Sequence, residues 1–134
     1  MKFLMFILLS FAVLSSRAQV DNSNRLIGKW QVCYSLDNYD TACVKPFNFY
    51  ILKQGGIYQG RDFVCGNATT SMKGSWTLDG TKLVITALGN ECGANYDQIY
   101  SNLTFVTKDF FYSKVLGTYE NLGHIVFYSF KRIE

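Results

Sequence analysis

The stretch KGSWTLDGTKLVITA, residues 73–87, holds two short alternating runs on either side of Asp79-Gly80. Asp-Gly is the preferred two-residue hairpin turn, because both central residues of a type I′ turn need positive φ. Before the turn Trp76 and Leu78 share one face; after it Leu83 and Ile85 share another, and side chains two apart point the same way in a strand. The stretch predicts a β-hairpin of strands 73–78 and 81–87 with those four side chains inward.

The same signature recurs outward in both directions. Runs rich in Val, Ile, Tyr, Phe and Thr occur at 28–36, 46–53, 56–63, 96–106, 109–116 and 123–132, each bounded by Gly, Asn or Asp. No sustained i, i+3, i+4 apolar pattern marks a helix after the first eighteen residues. Tight connections (Gln54-Gly55, Asp79-Gly80, Thr107-Lys108) alternate with connections of roughly six to nine residues. In an up-and-down meander all tight turns fall at one end and all long loops at the other. The expectation is an all-β fold, an eight-stranded antiparallel up-and-down β-barrel with a tight floor and a loop-rich rim. A two-sheet sandwich is the alternative, but Greek-key connections do not sort into such an alternation.

Residues 1–18 read as a secretory signal peptide: one lysine, an apolar run from Phe3 to Leu14, and Ser16-Arg17-Ala18 at the cleavage site. The run is short for a membrane span and no second one follows. Cleavage after Ala18 leaves a single domain, 19–134, with 11 basic and 10 acidic residues. No Lys or Arg run is present, which argues against a nucleic-acid partner. The expected location is secreted or periplasmic. In an exported chain Cys33, Cys43, Cys65 and Cys92 read as two disulfides with three possible connectivities. Cys43, Cys65 and Cys92 fall in long loops at one rim and Cys33 points toward it, which favours Cys33–Cys43 and Cys65–Cys92. With no CxxC and one histidine, His124, no metal site or cofactor is expected.

On strand one Trp30, Val32, Tyr34 and Leu36 form the apolar, inward face. In a meander this strand starts at the floor and the last strand ends there, so Trp30 should meet Lys131 or Arg132. Arg132 shares parity with Val126, Tyr128 and Phe130 and is the better partner for the indole. Gly28 removes a side chain where the chain enters the wall. Phe110 and Tyr112 are also expected to face inward. The cavity-lining candidates are Tyr34, Tyr58, Trp76, Tyr112 and Tyr128, with Arg61 near the rim as a cation for an acidic head group. The bland alternative is that these residues simply fill the barrel. Two Asn-x-Ser/Thr sequons begin at Asn67 and Asn102.

Several of these features resemble a known family. Gly28-x-Trp30 opens strand one, Gly74-Ser75-Trp76 repeats the motif before Leu78-Asp79-Gly80, and a basic residue closes the last of eight meandering strands. A Y-x-I-x-x-L-T pattern is weakly echoed from Asp97 to Thr104. Together they resemble the lipocalins and their calycin relatives, most nearly the small bacterial lipocalin-like domains. The resemblance implies the eight-stranded cup and a small hydrophobic molecule held in its mouth. The chain departs from animal lipocalins in its shorter length and in lacking their C-terminal helix. LIGKW (26–30) is also similar to the start of avidin-type barrels, without the later aromatic positions that those use.

No catalytic constellation is visible: G-x-S-x-G, H-E-x-x-H and a phosphate-cradling glycine loop are all absent. The sequence thus points to a non-enzymatic, exported binding protein. The alternative is a filled barrel scaffold engaging a protein through its rim loops or through residues 19–25, as the small periplasmic protease inhibitors that it also resembles do.

Overall fold

A computed structural model describes residues 22–61, 71–88 and 96–133. Within them run nine antiparallel strands: β1 Gly28–Leu36, β2 Asn48–Lys53, β3 Ile57–Arg61, β4 Ser71–Asp79, β5 Lys82–Leu88, β6 Tyr96–Tyr100, β7 Leu103–Thr107, β8 Phe110–Leu116 and β9 Ile125–Arg132. They form one sheet in the order β6-β5-β4-β3-β2-β1-β9-β8-β7. Apart from the β1–β9 pair, each sheet neighbour is also a chain neighbour. The meander therefore rolls up until its first and last strands meet.

The expected strand 96–106 is two strands. Asn102 adopts φ 54°, a left-handed conformation that Asn tolerates better than most residues. Before this bend Tyr100 pairs with Leu83 of β5; after it Leu103 pairs with Ser113 of β8. The bend is bridged to both walls. Leu103 N–H donates to the Thr81 carbonyl (2.9 Å), Ser113 Oγ to the Ser101 carbonyl (2.6 Å) and Asn102 Nδ2 to the Lys114 carbonyl (3.1 Å). One stretch of chain thus serves two sheet edges and nearly closes the barrel, with the tight turns at one end and the long connections at the other.

The register corrects one expectation. Phe111 and Ser113 pair with Phe130 and Tyr128, on the face of Trp30 and Val32, whereas Phe110 and Tyr112 pair with Lys131 and Ser129 on the outer face. Three consecutive aromatics, Phe110-Phe111-Tyr112, leave alternation without a hydrophobic difference to act on. The outer pair is instead covered by the β1–β2 connection, where Tyr39 stacks on Tyr112 (centroids 4.6 Å, 8° between planes). Gly74, in the second G-x-W, is required by space, since a Cβ there would lie 1.8 Å from the Thr86 carbonyl oxygen. Gly28 has φ 144°, a conformation that side-chain-bearing residues rarely adopt.

The floor is built around Trp30, 1% exposed and directly paired with Arg132. The guanidinium carbon lies 4.2 Å from the indole centroid. Its nitrogens reach the carbonyls of Ile27 (Nη1, 2.7 Å), Arg25 (Nη2, 3.1 Å) and Lys108 (Nη2, 3.0 Å). Nε lies 3.2 Å from Asp109 Oδ1. Trp30 Nε1 donates to the Leu26 carbonyl at 2.8 Å, and a 3-10 turn, Asn22–Leu26, tucks the fully buried Leu26 beneath it. Phe111 meets the indole edge-on at 4.8 Å and stacks on Phe130 at 4.4 Å. The expected meeting of Trp30 and Arg132 is therefore the core of the closed end.

Arg132→Met should lower stability by about 2–4 kcal/mol in urea unfolding, because several carbonyls lose a charged donor at once. Arg132→Lys should recover only part of this, since an ammonium cannot fork between separate carbonyls while lying flat on the indole. At the seam, Asn102→Ala should cost about 1 kcal/mol and Asn102→Gly less, as left-handed backbone strain requires.

Candidate functional site

At the rim the β1–β2 connection folds back over the outside of the wall. Asp40 Oδ1 accepts from the N–H groups of Ala42 (3.1 Å) and Cys43 (3.0 Å), a local turn that places Cys43 against Cys33 in a disulfide. Both sulfurs are buried. Asp40 N–H donates to Ser129 Oγ (2.9 Å), Gln31 Nε2 to the Cys43 carbonyl (2.9 Å) and Lys131 Nζ to the Ala42 carbonyl (3.2 Å). Thus latched, the connection ends at Phe47, whose N–H donates to the Val32 carbonyl at 2.9 Å and whose ring lies 6.1 Å from that of Tyr128.

Below Phe47 a polar cluster crosses the interior between β2 and β6. Asn48 Nδ2 donates to Tyr50 Oη (2.9 Å), which lies 2.7 Å from Tyr100 Oη and donates to Gln98 Oε1. Asn48, Tyr50 and Tyr100 are buried, so these bonds offset a desolvation that would otherwise cost several kcal/mol. Tyr128 stands above, its ring 5.2 Å from Tyr100 and 5.8 Å from Tyr34. Burial, and then the neighbouring Tyr34, push the Tyr128 phenol above its ordinary value. Phe47, Gln98, Ile99, Tyr100 and Tyr128 line an open pocket of about 270 Å³. Its walls are aromatic, with the Gln98 amide and the Tyr100 phenol as polar groups. Deeper, the barrel is filled by Trp30, Leu52, Tyr58, Phe111 and Phe130.

The candidates from sequence separate accordingly. Tyr34, 42% exposed, and Tyr128 meet at the mouth. Tyr58 is core, edge-on to Tyr50 at 5.4 Å, and Trp76 is buried with Nε1 donating to the Lys53 carbonyl near the floor (2.9 Å). Tyr112 lies outside the barrel, under Tyr39. Arg61 ends β3 opposite Phe49, and its side chain lies outside the described set. Cys65, Cys92 and Asn67 lie outside the described residues, while the Asn102 side chain holds the seam. His124 Nδ1 sits 3.5 Å from Asp37 Oδ1 in an exposed rim contact. Among the described residues no cluster of three His, Cys, Asp or Glu could hold a metal, and no helix is long and apolar enough to cross a membrane.

Sequence reasoning missed Phe47, Asn48, Tyr50, Gln98 and Tyr100. A usable signal existed for two of them. Asn48 shares parity with Tyr50 and Leu52, and Gln98 with Tyr96 and Tyr100. An amide on the apolar face of a strand marks a buried hydrogen-bond cluster. Phe47 sits in a connection without period and carried no signal.

No family model matches the chain, and no curated protein matches it. Among solved structures it is similar to a lipocalin-like protein from Bacteroides uniformis, at 17% identity and TM-score 0.48, over 81% of this chain and 99% of that one. It is also similar to an uncharacterized protein from Bacteroides eggerthii, at 17% identity and TM-score 0.47, over 79% and 98%. Neither likeness bears on what the chain binds.

The raised Tyr128 pKa has a definite sign for stability. The folded state favours the neutral phenol, so its contribution is whole below the unfolded tyrosine value of about 10 and is lost as pH rises through the higher folded value. Melting temperature followed above about pH 10 should fall less steeply in Tyr128→Phe than in the wild type.

Proposed function

We propose that this chain is an exported binding protein that holds a small, largely apolar molecule at the barrel mouth. The observation that carries the reading is the open pocket whose aromatic walls, Phe47, Tyr100 and Tyr128, surround the Gln98 amide. Concave apolar sites with a few fixed polar groups are what small-molecule recognition requires. At about 270 Å³ the space lies just under the usual range for drug-sized ligands, so a single ring or short chain with one hydrogen-bonding group fits best. Export is supported by the signal-like leader and by the Cys33–Cys43 disulfide, which suits an oxidising compartment.

The filled lower barrel favours a second reading, a scaffold acting through protein contacts. The described part of residues 19–25 does not favour an N-terminal arm, because Asn22–Leu26 folds under the floor instead of projecting.

Native mass spectrometry of protein taken from its host, followed by titration with single-ring phenols and short fatty acids, tests the first reading. A retained or titratable ligand is expected, with Phe47→Ala weakening it about tenfold through loss of one aromatic wall. Absence of any bound species, with no member of the panel binding, would overturn it in favour of the scaffold.

A further inference from the structure

The charges of this barrel are unevenly placed. The floor carries Arg25 in the 3-10 turn, Lys29 opening β1, Lys53 closing β2, Lys82 opening β5 and Lys108 in the β7–β8 turn, besides Lys131 and Arg132 closing β9. Among the described residues Asp79 and Asp109 stand against them, and Asp109 is engaged by Arg132 at 3.2 Å. Among the described residues positive charge is therefore concentrated at the end away from the mouth.

Three of these cations, Arg25, Lys108 and Arg132, line a cleft of about 440 Å³, with Asn24 and Thr107 as neutral polar walls and Phe105 and Val106 as its bed. The Arg25 guanidinium lies over the Phe105 ring, 5.5 Å from its centroid. A cation held over a ring keeps its N–H donors for an acceptor. Among the described residues neither Arg25 nor Lys108 has an acidic partner. Their backbones are held together by Arg132, whose Nη2 reaches the Arg25 carbonyl (3.1 Å) and the Lys108 carbonyl (3.0 Å). The bonds that seal the floor thus fix the spacing of the backbones that carry Arg25 and Lys108. An adjoining groove of about 560 Å³ shares Val106, Thr107 and Arg132 with the cleft and adds Phe110 and Ile133. Val106 and Ile133 there are 49% and 44% exposed.

We propose that this floor cleft is a second binding site, specific for a phosphomonoester attached to an apolar body. With Arg132 and Asp109 neutralising each other, Arg25 and Lys108 present two positive charges, which a dianion matches and a carboxylate half-matches. A phosphomonoester is largely dianionic near neutral pH and offers three acceptor oxygens to guanidinium, ammonium and amide donors. The groove beside it takes the apolar part. Arg132 is a positioning residue, since most of its donors are spent on backbone carbonyls and on Asp109.

The test follows phenyl phosphate by ³¹P NMR titration at low salt and, in parallel, co-sedimentation with phosphatidylcholine vesicles containing phosphatidic acid. Both exposed cations are changed in Arg25→Gln/Lys108→Gln, with circular dichroism as the check on folding. A control, Lys53→Gln/Lys82→Gln, removes the same charge elsewhere on the floor. Phenyl phosphate should bind about tenfold more tightly than phenylacetate, and the cleft variant should raise its dissociation constant by about tenfold or more while the control leaves it unchanged. Binding of phenyl phosphate alone assigns a soluble ligand; sedimentation alone, lost in the cleft variant, assigns a lipid head group. Equal loss in both variants, equal affinity for phenylacetate, or no binding in either arm overturns the site.

Discussion

A guanidinium lying on an indole joins the two ends of this sheet, and the rest of the barrel depends on it. Where β1, β9, the 3-10 turn and the β7–β8 turn converge, the carbonyls of Arg25, Ile27 and Lys108 have no strand neighbour to satisfy them. Arg132 supplies donors to all three while its face covers Trp30. Hydrogen bonds from a charged donor are the stronger kind, so one side chain settles several backbone demands together. The planarity of arginine is the necessary property: stacking uses its faces and hydrogen bonding its edge, and the two do not compete.

From that closed end the barrel changes character along its axis. The lower half is aromatic and tightly filled, with Phe111 and Phe130 stacked on each other above the indole. The upper half is crossed by the cluster of Asn48, Tyr50, Gln98 and Tyr100, whose bonds fix side chains that would otherwise choose among rotamers. The disulfide-latched connection outside the wall belongs to the same design, because it ends at Phe47 and so determines one side of the mouth. Floor and mouth are therefore chemically distinct: one cationic and backbone-tied, the other aromatic with an amide.

Much of this was legible in the chain because short-range rules govern it. Asp79-Gly80 announced a hairpin, the alternation of short and long connections announced a closed meander, and parity along β9 selected Arg132 over Lys131. The seam was legible in principle. Tyr100 faces inward before it, with Gln98 bonded to the interior cluster, but Leu103 and Phe105 face inward after it, a switch of parity around Asn102. Tyr112 could not be placed, because Phe110-Phe111-Tyr112 gives alternation nothing to distinguish, and its cover, Tyr39, lies far away in sequence. The pocket was only half readable for a related reason: Tyr128 follows a strand period, whereas Phe47 owes its position to a disulfide and to hydrogen bonds from distant strands.

The pairing of β1 with β9 also dictates the order in which the molecule can assemble. The bond from Arg132 to the Ile27 carbonyl spans 105 positions, so the entropy of closing nearly the whole domain must be met before the floor contacts can repay it. Hairpins such as β4–β5 can form from neighbouring residues at once; the seal cannot. Until β9 docks, β1 remains a bare edge with Trp30 uncovered, an exposed template for pairing with another chain. A barrel fastened by its first and last strands is well sealed when complete and vulnerable to aggregation at every stage before.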